Sequence, residues 1–495
     1  MENLGIILSS LGDVVGLESF FWIGLGTVVG ILFGAAPGLT ATTAVALFTP
    51  ITFYMPLNIS LSFLMGIYCG GFYAGSIPAI LINTPGAPGN AATTMDGYPM
   101  AKRGEAGHAL SLSVTASYIG GTVSAFALLL CAPIIAKIAL KFGAPEYFAV
   151  AVLGLVCIAG VSGKSVTKGV AGACIGMFLG CIGMDPMDGL PRFTLGNVNL
   201  MGGIALIPAL VGLFAITEVL AQIENDQDAG HIVQQKIALK DVVPKLSEYI
   251  ENKWILVRSI IIGILVGACP GTGPTIASWM AYNEAKRSSK HPEKFGTGIP
   301  DGIIATESSN NAVTGGALIP LLTLGVPGDT VTAVLLGALM IQGLTPGPML
   351  LAEHYDLVAR LLWILIFANI AMLAAGLLGS KFAPKILQLP IKILMPLVSV
   401  LCITGGYASN NSYFDAAMVI AIGLGGYILS KFGFPVAPIV LGLILGPIIE
   451  PNMRRALEGS DMNPLVFVST PLSAGLLVLA FVCVWIMNKK GMSAD

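Results

Sequence analysis

Four short stretches of this sequence set proline and glycine beside hydroxyl or amide side chains inside otherwise apolar runs. Pro37-Gly38 is followed by Thr40, Thr42 and Thr43, and Pro270-Gly271 by Thr272, Gly273 and Thr275. Asn83-Thr84-Pro85-Gly86-Ala87-Pro88-Gly89-Asn90 leads to Thr93, and Gly325-Val326-Pro327-Gly328-Asp329-Thr330 leads to Thr332. A helix that restarts just after such a glycine leaves unpaired N–H groups and the positive end of its dipole at the break. That is the chemistry that holds an anion where a buried Lys or Arg would be expensive. Glycine at 38, 86, 89, 271, 273 and 328 admits positive φ and close backbone approach. The proline Pro37, these glycines, Thr40, Thr42, Asn83, Thr84, Thr93, Thr272 and Thr330 are the candidate anion contacts. Glycine and proline also serve membrane helices as packing and kink devices. Four breaks, each flanked by Thr or Asn, favour the binding reading.

Cation chemistry has its own candidates. Asp329 is one of few acidic residues within an apolar run, and with Asn90, Asn310 and Asn311 it forms the expected sodium or proton site. Asp is equally a favoured N-cap, so Asp329 also reads as the cap of a helix starting at 330. Glu307 joins such a site or sits at the cytoplasmic interface, and Asp96, Lys102 and Arg103 read as interface anchors. Four histidines (108, 231, 291, 354) fall in loops or at span ends without carboxylates at ligand spacing, which argues against a metal. No His-Glu, Ser-Lys or paired-Asp arrangement falls within a span, so an enzyme is not expected, nor a cofactor.

The elements around these breaks come in pairs. Gly30-Ile-Leu-Phe-Gly-Ala-Ala-Pro-Gly38 recurs as Gly263-Ile-Leu-Val-Gly-Ala-Cys-Pro-Gly271. Gly86-Ala-Pro-Gly89 pairs with Gly325-Val-Pro-Gly328, which sets Asn90 opposite Asp329, and Pro145, Cys157 and Pro208 pair with Pro390, Cys402 and Pro438. The offsets run 233, 239, 245, 245 and 230. Duplicated halves with broken apolar segments at matching positions are the sequence sign of a secondary transporter. Residues 20–54 and 254–284 are each too long for one span and too short for two, so each is expected to be a re-entrant hairpin. Broken crossings at 60–95 and 302–343 and four plain spans follow in each half. The expected fold is an all-α polytopic membrane protein with two inverted-topology repeats and about eleven crossings. Its parts are an N-terminal segment 1–19, repeat 1 at 20–222, a linker at 223–253, repeat 2 at 254–452 and a last helix at 465–487.

Composition requires a bilayer: 55% hydrophobic and 11% charged residues over 495, with mean hydropathy +0.84. A net charge of −2 and the lack of a basic face exclude nucleic acid as a partner. The eight cysteines lie mostly in apolar runs without C-x-x-C spacing, and read as small buried hydrophobes. Met1-Glu-Asn-Leu lacks the basic n-region of a signal peptide, so residue 1 is expected to remain. With residue 1 outside, 19 of the 25 Lys and Arg fall in inside loops. The six outside are Lys137, Lys141, Arg192, Arg360, Arg454 and Arg455. The N-terminus is thus expected in the periplasm, and the linker and C-terminus in the cytoplasm.

With Gly34-Ala-Ala-Pro-Gly-Leu-Thr40, the run from Asn83 to Ala109 and Thr323-Leu-Gly-Val-Pro-Gly-Asp329, the chain resembles TctA, the large membrane subunit of tripartite tricarboxylate transporters. The resemblance implies a gradient-driven importer in the bacterial inner membrane. It also implies a small membrane subunit of about four spans, a periplasmic substrate-binding protein, and citrate-like or related carboxylates as substrates. An oligomer is compatible with it. An anion channel or passive pore is the competing class, since duplicated re-entrant hairpins also build pores. Polarity concentrated at the breaks, with nearly uncharged plain spans, favours the carrier.

Overall fold

The computed structural model describes residues 2–36, 38–161, 165–224, 239–387 and 391–491. Its only paired strands among them are β1 Gly183–Met184 and β2 Pro191–Arg192; the rest is helix and connection. In the first half, α1 Glu2–Val14, α2 Leu17–Ala35 and α3 Ala41–Thr52 precede α4 Leu57–Ala74, α5 Ser76–Ile82 and α6 Thr94–Lys102. Then come α7 Ala106–Ala139, α8 Ala144–Val161, α9 Val166–Gly180, α10 Leu206–Leu210, a π-helical turn Val211–Ile216 and α11 Thr217–Glu224. The second half opens with α12 Leu246–Glu251, α13 Lys253–Ala268, α14 Gly273–Ser288, α15 Pro300–Leu324, α16 Thr330–Ile341 and α17 Pro348–Glu353. It closes with α18 Tyr355–Gly379, α19 Ala383–Ile386, α20 Ile391–Asn410, α21 Tyr413–Lys431, α22 Val436–Glu458 and α23 Pro471–Gly491.

Among the described residues eight helical segments are long and apolar enough to cross a membrane. α8, α9 and α23 contribute shorter apolar stretches. α2, expected as one arm of a hairpin, is among the eight at 19 residues, whereas α3 at 12 residues reaches only about 18 Å and cannot cross. The two helices of the first pair are therefore unequal in length; α13 and α14, at 16 residues each, are equal.

Small residues set how the helices meet. A Cβ on Gly30 or Gly34 of α2 would collide with the carbonyls of Ile67 or Gly71 in α4, and one on Gly263 or Gly267 of α13 with those of Ser309 or Val313 in α15. Backbones this close are what small-residue stripes permit in membranes. Both pairs of contacts correspond at offsets of 233 on one helix and 242 on the other. The helix ends agree. α5 stops at Asn83 (φ 58), with Thr84 N–H on the Pro78 carbonyl, and α15 stops at Gly325 (φ 71), with Val326 N–H on the Pro320 carbonyl. The second break thus corresponds at 242 rather than 239, so Gly86 matches Gly328 and Ala87, not Asn90, matches Asp329. Matching Gly-x-Pro-Gly letters slipped the register by three because the left-handed cap, not the last glycine, ends the helix.

Several surface assignments also change. Glu307, open between an ion site and the interface, is fully buried within α15, because α4, α7, α13 and α14 surround that helix. Asp96 is fully buried too, and its Oδ1 accepts from the N–H groups of Gly296, Gly298 and Ile299 at 2.9, 2.8 and 3.1 Å. It ties α6 to the loop before α15. His108, read as lacking a carboxylate, meets Glu248 at 2.9 Å. Cys174 and Cys269 are exposed, while Cys69, Cys157 and Cys402 are buried as expected.

The loop 183–203 is pinned by charge. Arg454 reaches Asp185 at 2.7 Å and Asp188 at 2.6 Å, and Arg192 reaches Glu450 at 2.5 Å. The Asp185 carboxyl, held by the Met187 N–H and by Arg454, is lowered to about 2.

Candidate functional site

Each hairpin tip and each break delivers the start of a helix to one place. Thr40 caps α3, its Oγ1 accepting from Thr43 N–H at 3.3 Å. Asp329 caps α16 in a capping box: its Oδ1 accepts from Thr332 N–H at 2.7 Å, and its own N–H donates to the Thr332 hydroxyl at 2.9 Å. Its Oδ2 accepts from the Tyr68 hydroxyl at 2.7 Å. α14 begins at Gly273, and a 3₁₀ turn spans Pro88–Asn90.

Between these four starts lies a cavity of about 410 Å³. Its wall brings together Thr40, Thr42, Gly89, Asn90, Gly271, Thr272, Gly273, Asn310, Asp329 and Thr330. The halves touch directly there, the Thr42 and Thr330 hydroxyls lying 2.8 Å apart. The second tip is tied to the second break by Gly271 N–H donating to the Gly328 carbonyl at 2.9 Å. Among the described residues the wall carries no Lys, Arg or His, and its charged groups are Glu218 and Asp329. The donors the wall offers an anion are therefore helix starts, hydroxyls and the amides of Asn90 and Asn310.

Behind the wall a polar cluster surrounds Glu307. The Thr93 hydroxyl donates to its Oε1 at 2.5 Å, the Asn90 amide to the same atom at 3.2 Å, and the Ser117 hydroxyl to Oε2 at 3.3 Å. The Asn311 amide donates to Ser117 Oγ at 2.7 Å. The Phe72 carbonyl accepts from the amides of both Asn90 and Asn310, at 3.3 and 3.0 Å.

Residues 20–441 match the family described as Tripartite tricarboxylate transporter TctA family. The chain belongs to the TctA family. An uncharacterized 52.8 kDa protein in the TAR-I ttuC' 3' region of Agrobacterium vitis is 36% identical over 488 residues, covering 96% of this chain and 94% of that protein. A second uncharacterized protein, in the TAR-II ttuC' 3' region of the same organism, is 37% identical over 222 residues, 45% of this chain and 92% of its own length. No solved structure matches.

For this TctA-family chain the remaining described sequence candidates lie off the cavity wall. Pro37 is outside the described residues. Gly38 has φ +78 and packs against the Gln222 side chain, which in turn donates to Glu218 at 2.8 Å. Asn83 is a helix cap, and the Thr84 hydroxyl turns back to the Ile82 carbonyl at 3.4 Å. Thr93 and Asn311 belong to the Glu307 cluster. Positive φ occurs at Gly38, Gly271 and Gly273 but not at Gly86, Gly89 or Gly328. Gly86 and Gly328 instead face the Gly34 and Gly267 carbonyls, and Gly89 faces Asn310 and Pro274. These three admit protein neighbours.

The sequence reading missed Glu218, Tyr68 and Ser117. Glu218 follows the π-helical turn Val211–Ile216, a local widening that the apolar residues there do not announce. Tyr68 had a weak signal, standing between Gly66 and Gly70 on a helix that must pack closely.

Proposed function

We propose that the chain is the membrane permease subunit of a secondary transporter that imports citrate-like tricarboxylates or related carboxylates. In this reading a periplasmic substrate-binding protein delivers the substrate and a small membrane subunit completes the complex in the bacterial inner membrane. The observation that carries the proposal is the cavity of about 410 Å³ on which helix starts from both halves converge. It falls within the ~300–1,000 Å³ of small-molecule sites. Hydroxyls and dipole ends suit carboxylate oxygens.

A sodium or proton gradient drives the import. A multiply charged anion moving against an inside-negative potential faces about 2.3 kcal/mol per charge per 100 mV, so cations accompany it. Glu218 and Asp329 in the wall add negative charge that the same cations offset. The ion contacts proposed are Asp329, Asn90, Asn310 and Asn311.

The architecture proposed is two inverted repeats with eleven crossings, N-terminus outside. Contacts between loops support the grouping of loops into two sides, because each joins loops that the charge count assigns to one side. Arg103 donates to the carbonyls of Thr297 and Gly298, Lys168 to the Phe432 carbonyl, and Lys431 pairs with Glu224. On the other side Arg192 and Arg454 meet Glu450 and Asp185.

Counterflow in proteoliposomes holding the three-subunit complex tests the proposal. Trans-stimulated carboxylate uptake is expected. Uptake indifferent to internal carboxylate would overturn the carrier in favour of a channel.

A further inference from the structure

A carboxylate buried inside a protein needs a proton or a positive partner to offset its charge, and the hydrogen-bond partners of Glu307 are neutral. Its side chain is fully buried, and its oxygens accept from Thr93, Asn90 and Ser117. Among the described residues no Lys, Arg or His forms an ion pair with it. Neutral hydrogen bonds offset only part of the penalty of desolvating a full charge.

A second, independent feature stands beside it. The Oδ1 atoms of Asn90 and Asn311, residues 1% and 0% exposed, have no hydrogen-bond partner. Orphaned buried amide oxygens call for an explanation, and of the three among the described residues, Asn369 Oδ1 being the third, two stand in this cluster. Both amides belong to the cluster: Asn90 Nδ2 lies 3.2 Å from Glu307 Oε1, and Asn311 Nδ2 lies 2.7 Å from the Ser117 hydroxyl that binds Oε2. A half-turn of either amide exchanges its nitrogen and oxygen with little change of shape, at the cost of the bonds from Asn90 Nδ2 to the Phe72 carbonyl and from Asn311 Nδ2 to the Glu307 carbonyl. Against a bare carboxylate that turn brings oxygen to oxygen and is repulsive. With a cation between them it supplies the missing ligands.

We propose that Glu307 centres a binding site for one sodium-type monovalent cation, held by oxygens of Glu307, Thr93 and Ser117 and by the turned amides of Asn90 and Asn311. The donor set is oxygen throughout, and one carboxylate balances one positive charge. Asp329 stands apart from this cluster, in the cavity wall with its oxygens on Thr332 and Tyr68. A proton would need one acceptor and leave both amide oxygens orphaned. The site also touches the cavity, since Asn90 stands in the wall and shares the Phe72 carbonyl with Asn310, another wall residue. Cation and carboxylate thus act on the same amides, and binding of either favours the other by the same factor. That coupling rests on the carrier reading; cation binding itself does not.

Isothermal titration of the purified full chain in lipid nanodiscs with sodium chloride, against choline chloride and without carboxylate, tests the site. Saturable binding of one sodium is expected in the wild type and in Glu293→Gln, an exposed control. Glu307→Gln should weaken it by at least about tenfold, because a unit charge beside a buried cation is lost. Should that variant fail to fold, Thr93→Val and Asn311→Ala remain, each expected to weaken binding by a smaller factor. No sodium binding by the wild type, or wild-type affinity in Glu307→Gln or in both smaller variants, overturns the site. Intact sodium binding without carboxylate counterflow would support the site and overturn the carrier instead.

Discussion

Thr42 and Thr330, 288 positions apart in the chain, join hydroxyls at 2.8 Å inside the cavity. Each stands in the first turn of a short helix, α3 or α16, so one contact sets the distance between a hairpin tip and the opposite break. Valine at either position should destabilise the protein by about 0.5–1.5 kcal/mol, because the remaining hydroxyl loses its partner. The double valine should be little worse than one, since no orphan is left. Thermal unfolding of the four proteins in detergent measures this. Uptake should show a raised KM in all three variants if the hydroxyls meet substrate, and an unchanged KM would make the pair purely structural.

The glycines of the tips separate two effects. Gly273 has φ +65 and open space where a Cβ would project, so Gly273→Ala meets only the left-handed backbone, about 1–2 kcal/mol. Gly38 and Gly271 also have positive φ, and Gly38 has the Gln222 side chain where a Cβ would go. Gly38→Val and Gly271→Val should abolish uptake while protein remains in the membrane. Gln222→Ala should partly restore Gly38→Ala. Normal uptake by both valine variants would show the tips to be packing devices.

Asp329 offers a separation of cap from charge. Asn caps helices about as well as Asp, whereas Ala costs about 0.5–2 kcal/mol. Asp329→Asn should therefore keep the unfolding temperature near wild type and Asp329→Ala should lower it. If Asp329 also helps bind the coupling cation, Asp329→Asn changes the sodium or pH dependence of uptake more than it changes substrate binding. An unchanged dependence leaves it as the cap of α16 alone.

Legibility followed how local the cause was. Proline and glycine break helices wherever they stand, so the breaks near 38, 85, 271 and 327 could be read from letters. The segment read at 254–284 around Pro270-Gly271 accordingly divides into α13 Lys253–Ala268 and α14 Gly273–Ser288, whereas the last helix, read at 465–487, starts only at Pro471. Depth was not local. The letters of Thr306-Glu-Ser-Ser-Asn-Asn311 leave Glu307 open between an ion site and the interface, and only the helices packed around α15 show it to be buried. Asp96 was misread in the same way, its four donors lying some 200 residues away in the loop before α15 and in α14. The register of the second break failed because a three-residue slip preserves a Gly-x-Pro-Gly match.

The ion network of loop 183–203 predicts an acid response. Asp185 is lowered to about 2 from an ordinary 3.8, so its ionised form is favoured in the folded protein. A depressed carboxyl contributes stability that is complete above the unfolded pKa and is lost as pH falls through the folded one. Loop protection should hold down to about pH 4 and decline between about pH 4 and 2. Hydrogen–deuterium exchange of peptides from 183–203 measures it. Arg454→Ala should move the decline upward toward the ordinary carboxylate range, and an unmoved midpoint would remove Arg454 from the cause.

Topology is decided by two exposed positions on loops that the charge count assigns to opposite sides. Leu195, 95% exposed, lies in the loop that Arg192 and Arg454 pin, on the side proposed as outside. Lys294 lies in the basic loop that Arg103 touches, on the side proposed as inside. Loops this close to spans follow the positive-inside bias, and the 19 to 6 split is steep. In a cysteine-less background, which removes the exposed Cys174 and Cys269, Leu195→Cys should react with an impermeant maleimide added to intact cells. Lys294→Cys should react only after permeabilisation. Labelling of position 294 in intact cells would reverse the orientation. Labelling of both would place the two loops on one side, and no arrangement of inverted repeats with five crossings each would then remain.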